Sequence, residues 1–335
     1  MLARAAENLY WMARYLERAE NTARLINSTT HVLLDLPLGA TFGWANLIEI
    51  AGLDNHFHQH YPDANEDSIM RFLIEDSRNP SSILSCMQFA RENTRTLREV
   101  LPAEMWERIN SLCLYVREHA SIACRSRRDR YMVLNNVIEQ RHAIVGLVSG
   151  TMGHDFAFQI IKLGRNLERA DMTTRILDIN SAVQLPRDHV LHEAIMERIW
   201  KSTLDSLSAY QTYRRLIGMQ VRGGEVINFL LKDMRFPRSV EHCLNEIESC
   251  LKLMPISQQM QQIVVQIRHK IAQHHTDSLS AIALHEYLDR LQAELGEIHD
   301  ALNHRYFHTY HESSPPIEAN QGKIVTAKFE MGFDQ

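Results

Sequence analysis

The chain has 335 residues, 45% apolar and 23% charged, with a formal net charge of −5. These values exclude a disordered or fibrous chain, and without a bulk basic field nucleic acid and an anionic membrane surface are not expected partners. Gly (13) and Pro (9) are too scarce for the turns of an all-β fold, so an all-α chain built from long helices is expected.

In chain order, the first helix is expected over about 2–35, stopped by Pro37-Leu-Gly39. Arg4 and Glu7 interrupt the apolar stretch that a leader would need, and no apolar run approaches the ~20 residues of a membrane span. A cytoplasmic chain without a membrane segment is expected. A short helix follows near 43–53, and His56-Phe-His58-Gln-His60 then reads as a loop after Gly52. Alternating histidines can bind a metal, but no Cys or carboxylate stands at standard spacing beside them, so no metal and no cofactor is expected. Helices near 81–100 and 103–126 close the first half, with Arg125-Ser-Arg-Arg-Asp-Arg130 as a solvated helix end.

The second half opens with a helix near 154–182, ending before Pro186, and continues with a long one near 188–218. Helices near 238–253, 256–275 and 278–308 follow. In the last, Leu279, Ile282, Ala283, Leu288, Leu291, Leu295, Ile298 and Leu302 recur mainly at three- and four-residue steps, an amphipathic pattern that could also serve an oligomer. Beyond 309 the sequence turns polar, and a mobile tail is expected. The five cysteines are odd in number and form no Cys-x-x-Cys pair, so they are read as reduced core thiols.

The chain also resembles itself. Arg14-Tyr-Leu-Glu-Arg-Ala-Glu-Asn-Thr-Ala-Arg-Leu25 aligns without gaps on Arg165-Asn-Leu-Glu-Arg-Ala-Asp-Met-Thr-Thr-Arg-Ile176, with 7 of 12 positions identical at an offset of 151. A second match, at an offset of 157, runs from Phe72-Leu-Ile-Glu-Asp-Ser-Arg-Asn-Pro-Ser-Ser-Ile83 to Phe229-Leu-Leu-Lys-Asp-Met-Arg-Phe-Pro-Arg-Ser-Val240. Trp44 and Trp200 form a weaker link between them. Collinear matches of this kind point to duplication, with repeats at 1–135 and 136–308 packed as two pseudo-two-fold-related halves of a helical bundle.

The motif helix places Arg4, Glu7, Trp11, Arg14, Arg18, Asn21 and Leu25 within about one third of its circumference. One reading is a solvated face with Arg14–Glu17 and Glu20–Arg24 pairs, each worth only ~0.2–0.5 kcal/mol. Against it, Leu2, Leu9, Met12, Ala13 and Leu16 make the opposite side apolar as well, as expected of a central helix whose charges need internal partners. Duplication supplies them: Glu17 could meet Arg165 or Arg169, and Glu168 could meet Arg14 or Arg18. Asp171 and Arg175 complete the copied charges. This network can be purely structural, or it can hold a ligand, with Glu17 or Glu168 as a candidate general base and arginines holding an anion.

A second candidate is the helix break at Asp233 to Val240. Arg235, Arg238 and Ser239 stand where backbone N–H groups are free to hold an anion. The plainer reading is a helix–helix connection with Ser239 near the cap; since the first-half copy has Ser81 in place of Arg238, an anion site, if one forms, is expected in the second half. There is no phosphate-binding loop, no Gly-x-Gly-x-x-Gly, no Gly-x-Ser-x-Gly and no His-Glu-x-x-His.

Leu2-Ala-Arg-Ala-Ala-Glu-Asn-Leu-Tyr-Trp11, Arg14 to Asn21, Leu163 to Arg175 and Phe229 to Val240 together resemble the bacterial alpha-E domain family, over about 1–308. The resemblance implies an accessory helical component that accompanies, or is fused to, circularly permuted ATP-grasp proteins of the amide-ligase type. It also implies a transglutaminase-like protease as a pathway partner, and a role in making or processing a peptide or peptide tag. It implies signature status for Glu17-Arg18 and Glu168-Arg169, and no reaction.

Overall fold

The computed structural model describes residues 3–37, 42–183, 192–254, 258–274 and 280–307. In chain order the helices are α1 (Ala3–Asp35), α2 (Trp44–Ile50), α3 (Asp54–His58), α4 (Glu66–Ile74), α5 (Ile83–Arg95), α6 (Ala103–Arg125) and α7 (Arg127–Thr151). They continue as α8 (Phe156–Ala182), α9 (His192–Ser206), α10 (Tyr210–Leu216), α11 (Gly223–Lys232), α12 (Val240–Lys252), α13 (Gln258–Gln273) and α14 (Ala281–Leu302). A π-helical turn at Asn303–Phe307 ends the series, and the described residues contain no strand. The protein is all-α.

Side-chain caps set many of these boundaries. Asn65, Ser82, Ser126, Asp155, Ser239 and Ser280 each accept a hydrogen bond from a backbone N–H in the first turn of the helix that follows. α1 is about 50 Å long at 1.5 Å per residue, and its alanines let neighbours approach on several sides. It packs against α5, α7, α8 and α9, while α8 packs against α1, α12 and α14. The two motif helices are therefore the centre of the molecule. Gly164 marks their closest approach, since a Cβ there would stand 2.7 Å from the Tyr10 carbonyl oxygen. α7 packs on α6 and α1, and α14 packs on α13 and α8.

Several expectations shift. α7 runs unbroken through 135/136, the boundary drawn from the repeats. The long helix expected over 188–218 breaks between α9 and α10, where Ser208 adopts φ 55°. His56 and His58 lie in the single turn of α3, not in a loop. The basic cluster at the α6–α7 junction is only partly solvated: Arg130 is buried, donating to the carbonyls of Ala123 and Cys124 and pairing with Glu66 at 2.8 Å. The apolar face of α14 is used inside the chain, with Leu284, Leu288, Leu291, Leu295, Ile298 and Leu302 all buried. All five cysteines are buried and free. No described helix is long and apolar enough to cross a membrane. The polar stretch from 309 lies outside the described residues.

Candidate functional site

The crossing of α1 and α8 brings each motif glutamate to arginines of the opposite helix. Glu168 accepts from Arg14 Nε at 2.7 Å and from Arg18 Nε and Nη2 at 2.6 and 3.0 Å. Glu17 accepts from Arg169 Nε and Nη2 at 2.7 and 3.1 Å. Here the reciprocity stops. Arg165 makes no ion pair among the described residues, and Glu17 is completed by Arg141 of α7 at 3.0 Å and by Arg238 at 3.5 Å. Arg141 had no signal in the repeats, because it stands far from either copy of the motif.

Both carboxylates are closed to solvent, Glu17 at 0% and Glu168 at 1% exposure. Burial pushes the Glu168 carboxyl up, but Arg18 and Arg14 outweigh it and hold it at about 2. For Glu17, burial and Glu20 act upward, and Arg169, Arg141 and Arg238 still bring it down. Forked guanidinium–carboxylate pairs of this geometry are strong and directional. Their net worth against an apolar core is small, yet removing one partner is costly.

The two glutamates differ in what surrounds them. Glu168 backs a cleft of about 510 Å³ between α1, α8, α14 and the start of α5. The Glu17 side is filled. The difference follows from aligned positions: Ser81 lines the cleft, whereas Arg238 reaches inward to Glu20 and to Asn21 Oδ1. Glu20 also binds Arg24 Nε at 2.9 Å, and Arg24 Nη1 reaches the Ser206 carbonyl at 2.6 Å. The local Glu20–Arg24 pair therefore exists, while Arg14 turns to the other helix and not to Glu17.

Guanidiniums and aromatic rings share the cleft wall. Arg14 lies 5.2 Å from the Trp11 ring centre, Trp11 stacks on Tyr15 at 5.5 Å, and Tyr15 meets Phe89 at 5.1 Å. Arg175 also faces the cleft, held by Asp171 at 2.9 Å and donating to the Ile50 carbonyl at 3.0 Å. Arg14 spends its Nε on Glu168 and its Nη1 on the Tyr10 hydroxyl at 3.1 Å, and its Nη2 makes no hydrogen bond among the described residues. Arg18 Nη1 has only a 3.5 Å contact with Ser81 Oγ. His299 of α14, 2.9 Å from the Tyr10 hydroxyl, is pushed down to about 3 by burial and by Arg14, so it is neutral at pH 7. Sequence reading missed His299, whose α14 is distant in the chain from the motif.

The remaining candidates separate. Arg4 is exposed, and Glu7 is half-buried on α1. Arg235 is exposed and turns back on Asp233 at 2.8 Å, while Ser239 is buried as the cap of α12. The break at Asp233 to Val240 thus sends Arg238 inward and leaves Arg235 outside. Asp178, His285 and Asp289 bring ligand-type atoms within 4.8 Å of one another. His285 Nδ1 lies 2.9 Å from Asp178, so this group ties α14 to α8 by hydrogen bonding. A more open depression of about 310 Å³ by Asp35, Arg198, Lys201 and Asp205 is lined by charges that pair with one another.

Relatives share this region. The chain is 25% identical over 319 residues to uncharacterized proteins of Mycobacterium bovis and Mycobacterium tuberculosis, covering 88% of this chain and 34% of each relative. It therefore spans about one third of the length of the curated relatives it matches. No solved structure matches it. One family matches residues 1–307 and is described as a predicted alpha-helical domain with a conserved ER motif. With Glu17-Arg18 and Glu168-Arg169 paired across its two central helices, the chain belongs to that family, Alpha-E.

Proposed function

We propose that this chain is an accessory helical protein of an ATP-grasp amide-ligase system, and that it holds an anionic, partly apolar ligand such as the ligase's peptide substrate. The observation that carries the binding role is the cleft, where Arg14, Arg18 and Arg175 stand beside Trp11, Tyr15 and Phe89. Guanidinium forks recognise carboxylates, and an apolar, aromatic wall takes the body of a small molecule. Glu168 sets the geometry of Arg14 and Arg18 before any ligand arrives.

The ligase component, and a transglutaminase-like protease as a further pathway partner, rest on the family resemblance. In the mycobacterial relatives about two thirds of the length lies outside the match, which fits a fold that acts beside other domains. An acid/base role for Glu168 has less support. A carboxylate held at about 2 is fully ionised at neutral pH and a weak proton acceptor, whereas general bases work best with values near the operating pH.

Co-expression of the tagged chain with a circularly permuted ATP-grasp ligase from the same organism tests this reading. The ligase is expected to co-purify, and an acidic–apolar dipeptide is expected to strengthen the complex. Absence of a complex with and without ATP contradicts it.

A further inference from the structure

The two sides of the α1–α8 crossing share several ion pairs at aligned positions. Arg169 grips Glu17 through Nε and Nη2, and the aligned Arg18 grips Glu168 through the same two atoms. Arg24 Nε binds Glu20 at 2.9 Å, and the aligned Arg175 Nε binds Asp171 at 2.9 Å. The connections before α5 and α12 agree as well. Ser82 and Ser239 cap these helices, and Cys86 and Cys243 turn Sγ to the carbonyls of Pro80 and Pro237 at 3.6 and 3.7 Å.

The residue before each cap breaks the likeness. On the closed side Arg238 sends its guanidinium to Glu20, to Asn21 Oδ1 at 3.0 Å and toward Glu17 Oε1 at 3.5 Å. Ser81, Asp171, Met172 and Glu168 stand at the aligned positions on the other side, and all four line the cleft of about 510 Å³. Thr173 Oγ1 donates to the Arg238 carbonyl at 2.9 Å, and its aligned residue Thr22 lines the cleft too. The space that a guanidinium fills on the closed side is therefore part of the cleft on the other.

The carboxylates there can accept more. A carboxylate offers about four acceptor sites. Glu168 takes three hydrogen bonds from Arg14 and Arg18, and Asp171 takes two from Arg175. Three residues apart on α8, they share a helix face, and the Asp171 side chain is 20% exposed. The cleft wall sets Arg14, Arg18 and Arg175 against Glu168, Asp171 and Asp300, so it can meet a cation as well as a carboxylate on one ligand.

We propose that the ligand of this cleft carries a guanidinium, the arginine side chain of a peptide, seated beside Ser81 against Asp171 and Glu168 as Arg238 is seated against Glu20 and Glu17. This rests on the reading of the cleft as a peptide site and adds the class of side chain recognised there. A planar guanidinium fork can bridge two carboxylates, whereas an ammonium is a point charge. Arg18 and Arg14 remain for the carboxylate of the same peptide.

Calorimetric titration with N-acetyl-Leu-Arg and N-acetyl-Leu-citrulline, which differ in side-chain charge at nearly equal shape, tests the proposal. The wild-type protein is expected to bind the arginine peptide at least ten-fold more tightly. Ser81→Arg supplies the guanidinium from the chain itself and is expected to remove that preference. If Ser81→Arg does not fold, Asp171→Asn carries the comparison, with a reduced preference expected. Equal affinity of the wild type for the two peptides, or an undiminished preference in a folded variant, overturns the proposal. If acidic–apolar dipeptides then still bind, the cleft is a ligand site without an arginine subsite; if no peptide binds, the reading of the cleft fails as well.

Discussion

Glu17→Gln is expected to lower the free energy of unfolding by about 3–5 kcal/mol, the usual cost of removing one partner from a buried ion pair. The carboxylate it removes is shared by Arg169 at 2.7 Å and Arg141 at 3.0 Å, with Arg238 at 3.5 Å. Gln keeps the shape and one acceptor oxygen, so the loss reports charge and not volume. Adding Arg169→Met to Glu17→Gln is expected to return part of the loss, because the two changes share one interaction. Urea unfolding of the single and double variants measures both effects. A loss below about 1 kcal/mol for Glu17→Gln would mean that the carboxylate does not anchor the helices.

Glu168→Gln is the second large effect, and it carries a pH signature. The carboxyl moves from 4.5 to about 2 on folding. Its stabilisation is therefore present above the unfolded value and is lost as pH falls from about 4.5 toward 2. One pKa unit corresponds to about 1.4 kcal/mol, so the shift represents roughly 3 kcal/mol at neutral pH. In Glu168→Gln this acid-dependent loss is expected to disappear, leaving a protein that is less stable at pH 7 and flatter between pH 5 and 2. Stability measured across that range in both proteins is the check. Parallel curves would show that Glu168 is not the group held down by Arg14 and Arg18.

The architecture was legible where the chain signals itself locally. α1 and α8 follow from long uninterrupted helical sequence and from the Pro37 stop. α7 was hidden because Arg125 to Arg130 reads as a helix end, although Ser126 and Asp129 form a serine cap at 3.3 Å. The break after α9 carries no glycine or asparagine signal, since Ser208 adopts the left-handed conformation. The motif glutamates and arginines could be named from repetition alone. Their inequality could not. It depends on Arg141, Arg238 and His299, which reach the centre from α7, from the connection before α12, and from α14. Ser81 against Arg238 was visible as a difference between the repeats, but only packing shows that one leaves a cleft open and the other fills its counterpart.

Ligand binding in the cleft backed by Glu168, as proposed, can be tested at Gly296 without disturbing the charge network. Gly296 lies on α14 at the cleft, and a Cβ added there would meet no atom within 4 Å. Gly296→Trp should fill the cleft while keeping or raising helix stability, since glycine inside a helix costs about 1 kcal/mol relative to alanine. Calorimetric titration uses dipeptides that pair Asp or Glu with Leu, Phe or Val. Binding is expected to the wild-type protein, with at least ten-fold weaker binding to a fully folded Gly296→Trp. Equal affinity for both proteins, or no binding by the wild type, would contradict the assignment of this cleft as the binding site.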